Sequence, residues 1–165
     1  MYISYYNSPL GKILLASDGD YLTGLWFFDQ RYFAKGITDA IVEEKEIFLL
    51  TKEWLDLYFA GKKPNFSLPI KLLGSPYEQK VWQCLLQIPY GTTSTYGEIA
   101  SIINSSPRAV GRTIGKNPIS IIVPCHRVLG AKGKMTGYAA GIDKKKYLLH
   151  LESSKPIDDA SPKVI

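Results

Sequence analysis

Thr95-Tyr96-Gly97-Glu98-Ile99-Ala100-Ser101-Ile102-Ile103, then Asn104-Ser105-Ser106, then Pro107-Arg108-Ala109-Val110-Gly111-Arg112-Thr113-Ile114-Gly115, reads as two short helices across a tight link. Thr95 stands where an N-cap oxygen accepts an orphan N–H of the first turn, and Glu98 three residues on has capping-box spacing. Pro107 suits a first helical position, because its ring presets φ and the N–H it lacks would have had no partner there. A helix-turn-helix follows. Gly111 and Gly115 lie four apart on one face, and each costs about 1 kcal/mol of helix stability relative to alanine. Two explanations fit that cost: close packing on a neighbouring helix, or a smooth face lying in a DNA groove with Arg108, Arg112 and Lys116 near phosphates.

Upstream, Ser75 as N-cap, Pro76 at the first helical position and Glu78 as capping-box partner start a helix that runs to about Gln87. Before it, Lys62 to Gly74 carries Pro64 and Pro69 without periodicity and is expected to connect two domains. A further helix places Leu50, Trp54, Leu57 and Tyr58 on one face and ends at Gly61. The first third is expected to be strands over Tyr2–Tyr6, Lys12–Ser17 and Tyr21–Phe28, separated by Asn7-Ser8-Pro9-Leu10-Gly11 and Asp18-Gly19-Asp20.

Downstream, Ile119 to Val123 is an apolar run between Pro118 and Pro124 and is expected to be a short buried strand. Gly130 to Gly141 reads as a loop. Asp143 then caps a last helix carrying Tyr147, Leu148, Leu151 and Glu152, and from Ser153 onward a frayed tail is expected. The fold class is thus α/β in the α+β sense. A small N-terminal sheet-and-helix domain with its connecting segment spans residues 1–74, and a mainly helical domain with the helix-turn-helix and the short active-site strand spans 75–152. Residues 153–165 form the tail.

A chain of 165 residues with 45% hydrophobic content can build one or two small cores but not a large multidomain assembly. No stretch approaches the ~20 apolar residues of a membrane span, and Met1 to Leu10 lacks the basic and apolar regions of a signal peptide. A cytoplasmic location is expected, nuclear in a eukaryote. Two cysteines in unrelated settings argue against a disulfide framework, and two scattered histidines add no structural zinc site. The net charge of +5 is compatible with a polyanionic partner.

Cys125 and His126 are adjacent. A free cysteine is commonly a small buried apolar residue; here, however, the thiol follows a proline that ends an apolar run, and cationic neighbours would enlarge its thiolate fraction. Successive side chains of an extended segment point to opposite faces. For His126 to act on Cys125, the chain must turn there or a water must bridge them, and Glu152 is the candidate carboxylate to orient the imidazole.

Asn117-Pro118-Ile119-Ser120-Ile121-Ile122-Val123-Pro124-Cys125-His126-Arg127-Val128 closely resembles the active-site signature of the O6-alkylguanine-DNA alkyltransferases. The likeness extends to Ser94–Ala100, Pro107–Gly111 and Gly137-Tyr138-Ala139, and covers about residues 75 to 152. It implies that Cys125 accepts the alkyl group, that His126 is a water-mediated base and that Glu152 orients it. It also implies that Asn117 is the hinge tying the recognition helix to the active-site segment. Tyr96 would hydrogen-bond the guanine and help the leaving base take a proton, and Arg108 would fill the gap left by a flipped nucleotide. Ala109, Gly111, Arg112, Val128, Tyr138 and Ala139 complete the substrate and DNA contacts, Ala139 by its backbone N–H. Where many relatives carry serine or a second glycine, this loop has Ala139 and Ala140, and the N-terminal cysteines with which some relatives hold zinc are missing.

The activity implied is DNA repair by a single, irreversible transfer of a methyl or other alkyl group from O6-alkylguanine, with O4-alkylthymine as a further substrate. It is an S-methyltransferase that consumes itself, because a thioether offers water no good leaving group. No metal, nucleotide or redox cofactor is required. The partner implied is double-stranded DNA holding the lesion, met by a monomer away from membranes. Alternatives are a lesion-binding protein without catalysis, which would have replaced Cys125; a cysteine hydrolase, which would turn over; and a plain helix-turn-helix regulator, for which a buried thiol site has no use.

Overall fold

The computed structural model describes residues 1–153, which form two compact units in a mixed α/β fold. The first comprises Met1–Leu73 with Pro118–Ser120, and the second Gly74–Asn117 with the chain from Ile121 onward. Apart from Ser153, which ends the last helix, the expected tail lies outside the described residues.

The first unit is a four-stranded sheet, order β3-β2-β1-β4, with one helix. Strands β1 (Tyr2–Ser8), β2 (Gly11–Ser17) and β3 (Leu22–Phe27) are antiparallel neighbours, and β4 (Ile41–Val42), which the sequence pattern did not announce, lies parallel to β1. The Ser8 hydroxyl ties the first hairpin by accepting from Leu10 N–H at 3.0 Å and donating to the Gly11 carbonyl at 2.7 Å. In the second turn the Asp18 carboxylate accepts from Asp20 and Tyr21 N–H at 3.0 and 2.9 Å, the local bonding that makes aspartate a turn residue.

Because side chains alternate across a strand, Ile13 and Leu15 share one face with Phe27 and Leu25, all fully buried. Tyr6, on that face, hydrogen-bonds Asp56 and stacks on Phe59 of α1 (Glu46–Phe59). The opposite face gathers Leu14, Ala16 and Trp26, covered by Ile3 and by Ala34 and Ile37 of the loop after β3. A Cβ on Gly24 would sit 2.1 Å from the Trp26 ring, so the indole can lie flat only across a glycine.

Helix α1 ends as the sequence indicates: Gly61 at φ +81 donates to Tyr58, and Lys62 N–H returns to the Leu57 carbonyl. Its buried face is different. Ile47, Phe48, Thr51, Leu55 and Tyr58 are inside, while Leu50, Trp54 and Leu57 are half-buried. The inward stripe, which keeps Tyr58, is rotated by roughly one residue position, about 100°, from the expected one on a helix that packs against β1, β2 and β3.

The expected strand over Ile119–Val123 is not formed. Ile119 makes a single parallel bridge to Leu25, 120–122 are a turn, and Ile121 sits at φ +72. A β-branched residue in the left-handed region is strained. The bridge occupies the outer edge of β3, where Leu25 N–H donates to Pro118 and Ser120 N–H to Leu25. Burial of Ile119, Ile121 and Val123 accounts for the apolar run, since a turn can be as buried as a strand.

The second unit starts with α2 (Pro76–Leu86), whose capping box between Ser75 and Glu78 is complete. Helices α3 (Tyr96–Ile103) and α4 (Pro107–Ile114) form the helix-turn-helix, linked through Asn104 at φ +54, with Ser106 capping α4. At α3 the box is half made: Thr95 accepts from Glu98 N–H at 3.1 Å, but its hydroxyl donates to the Glu98 carboxylate instead of leaving it to the backbone. A 3-10 turn over Cys125–Arg127 leads into β6 (Val128–Leu129), which pairs in parallel with β5 (Ser94–Thr95), and α5 (Ile142–Ser153) closes the unit. The short strand near Cys125 thus follows it instead of preceding it.

Candidate active site

The backbone turns at Cys125. Its N–H reaches the Val123 carbonyl at 2.8 Å and Arg127 N–H reaches Pro124 at 3.0 Å, so Cys125, His126 and Arg127 occupy one 3-10 turn and not an extended segment. All three are buried, Cys125 at 4% exposure and His126 at 0%. Three side chains from separate segments of the chain bear on the thiol: Asn117, Tyr138 and the ammonium of Lys145. Asn117 also donates to the Val123 carbonyl at 2.8 Å, clamping the turn before the cysteine. Burial pushes the Cys125 thiol up, and these three groups pull it part of the way back. Cys84, half-buried on α2, is raised by burial with no opposing group.

His126 Nε2 lies 2.5 Å from Glu152 Oε2, and Arg127 Nε donates to Glu152 Oε1 at 2.7 Å. A second Arg127 nitrogen donates to the Ile88 carbonyl at 2.8 Å, and the guanidinium lies 5.6 Å from the Tyr90 ring centre. Burial by itself raises the Glu152 carboxyl, but the hydrogen bonds and charges of His126 and Arg127 outweigh it and hold the group at about 2. Burial lowers His126, with the hydrogen bond and charge of Glu152 resisting. Gly91, at φ +79, donates its N–H to Glu152 at 3.4 Å, and a Cβ there would press on the Glu152 backbone carbonyl at 3.3 Å.

Lys145 escaped the sequence reading. It is completely buried, and its ammonium donates to the carbonyls of Val128, Thr136 and Gly137 at 2.6, 2.7 and 3.0 Å, which accounts for all three protons. Burial brings it down to about 8. The ammonium therefore fastens the segment leading into Tyr138 and Ala139 while presenting positive charge to the thiol. A signal existed: Lys145, Leu148, Leu149 and Glu152 share helical spacing and are the buried residues of α5. The expected stripe of Tyr147, Leu148, Leu151 and Glu152 is half right, since Tyr147 is 38% exposed and Leu151 half-buried. The cationic neighbour of the thiol is thus Lys145, whereas Arg127 is engaged by Glu152 and Ile88.

Tyr96 opens α3, half-buried, its ring centre 5.9 Å from the Lys145 nitrogen. Burial raises its phenol against a hydrogen bond with Thr136, which keeps it a proton donor. Val128 is buried in β6, and Tyr138 and Ala139 are half-buried. Arg108 and Arg112 are exposed on α4, while Ala109 and Gly111 are half-buried there. A Cβ on Gly111 would meet the Tyr96 ring at 3.7 Å, an ordinary contact, and one on Gly115 would meet only the carbonyls of Arg112 and Gly111. Packing within the unit therefore requires neither glycine. Residues 117, 125–127, 138, 145 and 152 converge, whereas the α4 arginines stand apart as a solvent-facing set.

Residues 76–154 match the family profile described as 6-O-methylguanine DNA methyltransferase, DNA binding domain, and residues 1–72 match its ribonuclease-like domain. A methylated-DNA–protein-cysteine methyltransferase of Methanosarcina acetivorans is 45% identical over 161 residues, covering 93% of this chain and 99% of that protein. One from Mycobacterium tuberculosis is 44% identical, covering 90% of each. Among solved structures, Mycobacterium tuberculosis OGT in complex with DNA superposes with a TM-score of 0.84 at 42% identity over 93% of both chains. An O6-methylguanine DNA methyltransferase from Methanococcus jannaschii gives 0.67 at 30% identity, covering 98% of this chain and all of that one.

Proposed function

Since the chain belongs to the 6-O-methylguanine DNA methyltransferase family, enzymes that repair DNA by moving an alkyl group onto a protein cysteine, we propose that Cys125 is its acceptor. The substrate is double-stranded DNA carrying O6-alkylguanine, met by a single copy of the chain. One observation carries the assignment: of the two cysteines, only Cys125 has polar groups set against the burial that suppresses its ionisation.

The resting thiol keeps its proton. His126, with Nε2 committed to Glu152, takes that proton through Nδ1 by way of a water, and the carboxylate stabilises the imidazolium that forms. The Lys145 ammonium, Asn117 and Tyr138 stabilise the thiolate. Sulfur then attacks the alkyl carbon bound to O6; the S–C bond forms as the C–O bond breaks, and the electron pair leaves on guanine. The Ala139 N–H donates to O6, Tyr96 passes its phenol proton to the departing ring, and the proton held by the His126 imidazolium returns through water to Tyr96, so that neutral guanine leaves. No step removes the alkyl group from sulfur, so each chain acts once. O6 is out of reach inside a stacked duplex, so the nucleotide must be extruded at a cost of a few kcal/mol. Arg108, exposed on α4, fills the vacated space, with Arg112 at the phosphates and the glycine face against the groove.

Mixing the protein with a duplex containing one O6-methylguanine should leave one methyl group per chain, on the tryptic peptide holding Cys125. Methyl on Cys84 alone, or product exceeding protein, would overturn the assignment.

A further inference from the structure

The sheet of the first unit is covered unequally. One face carries α1, whereas on the other the described residues of this unit that cover Leu14, Ala16 and Trp26 are Ile3 and, from the loop after β3, Ala34 and Ile37. Beyond that cover Tyr5, Phe28 and Phe33 are 42%, 43% and 36% exposed. They form a continuous cluster, with ring centres 6.1 Å apart for Tyr5 and Phe28 and 4.8 Å for Phe28 and Phe33, tilted by 46° and 50°. The Lys12 ammonium stands over two of them, 5.4 Å from Tyr5 and 5.7 Å from Phe28. Arg31 and Lys35 are exposed in the adjoining loop, where Asp29 is the one acidic residue between Phe28 and Thr38. Tyr32 and Ala34 hold positive φ of 59° and 55° in that loop, conformations that cost energy for residues with a Cβ.

Exposed rings beside exposed cations match the chemistry of nucleic acid, in which each base offers a π face and each phosphate a negative charge. A duplex cannot use rings inclined to one another by slightly more than half a right angle, because its bases are stacked and their faces hidden. A single strand can place successive bases on successive rings.

We propose that this open end of the sheet is a second nucleic-acid contact, taking single-stranded DNA with bases on Tyr5, Phe28 and Phe33 and phosphates on Lys12, Arg31 and Lys35. It is separate from the proposed role of α4 and does not depend on the alkyl acceptor being Cys125.

The test is an anisotropy titration of fluorescein-labelled oligothymidylate, about twelve residues long, into the full chain carrying Arg108→Ala and Arg112→Ala, so that α4 contributes little. Adding Phe28→Ala with Phe33→Ala should weaken binding at least about tenfold, while the transfer rate from free O6-benzylguanine, which needs neither surface, stays unchanged. Lys12→Gln, which leaves the rings in place, should lower the slope of log affinity against log salt by about 0.7, and it decides the matter if the double variant does not fold. Unchanged oligothymidylate affinity in the ring variant, or an unchanged salt slope in Lys12→Gln, overturns the proposal. So does a result in which the ring variant loses only self-association in sedimentation, which would make the patch a protein contact.

Discussion

The first unit buries no acidic or basic side chain among the described residues, whereas the second buries four: His126, Arg127, Lys145 and Glu152. Charge divides the same way. The second unit's described residues carry ten lysines and arginines against four acids, and the first eight against nine, so the basic excess belongs to the second alone. The apolar interior of the first gains stability from burial at about 25 cal/mol per Å². The second accepts the desolvation of four ionisable groups and recovers it only by pairing each of them. Where a chain tolerates that cost, chemistry is the expected reason.

The sharpest way to break this contrast is Cys125→Ser, which should abolish alkyl transfer from both DNA and O6-benzylguanine with no change in duplex affinity; any residual transfer places the acceptor elsewhere. In the first unit, Phe48→Ala should cost about 3–5 kcal/mol of unfolding free energy, measured in urea, yet leave the transfer rate of folded protein unaltered. A slowed rate would mean that this unit takes part in the reaction. Glu152→Gln should slow transfer by about a hundredfold or more.

Acid titration follows from the same dyad. Burial lowers His126 from 6.5, so its contribution to stability is present above 6.5 and is lost as pH falls below it. Glu152, held at about 2 against an ordinary 4.5, adds a second loss as pH falls from 4.5 towards 2. Melting temperature should decline through both windows, and Glu152→Gln should lack the lower one; identical curves would remove the ion pair from the account. Lys145→Met leaves three carbonyls without their donor and should cost about 1–3 kcal/mol, slowing transfer as well. Stability lost with the rate intact would make Lys145 a fastener only. The smallest effect is expected of Gly111→Ala, which should raise helix stability by about 1 kcal/mol while weakening duplex binding. Unchanged DNA affinity would show that the glycine serves some purpose other than the groove.

Much of this was legible along the chain because it depends on near neighbours. Caps at Ser75 and Thr95, the glycine terminus at Gly61 and the aspartate turn at Asp18 are bonds over a few residues. What misled was the sidedness of the helices. Trp54 and Tyr147 look like core, but a helix facing one sheet or one loop hides only the residues that its partner selects. Ile119–Val123 misled similarly, since apolarity reports burial and not extension.

The amino-acid sequence by itself determined the helix-turn-helix, the helix caps and the hairpin turns, and it offered a cysteine, its neighbouring histidine and a distant glutamate as a candidate set. Only the tertiary structure decided that Cys125 and His126 share one tight turn, that Arg127 joins the carboxylate from the other side, and that the central lysine of three goes inward to hold a loop beside the sulfur. The reason is physical. A cap or a turn is settled by torsions and hydrogen bonds within reach of one segment, whereas the ionisation of a buried group depends on whatever the rest of the chain packs around it.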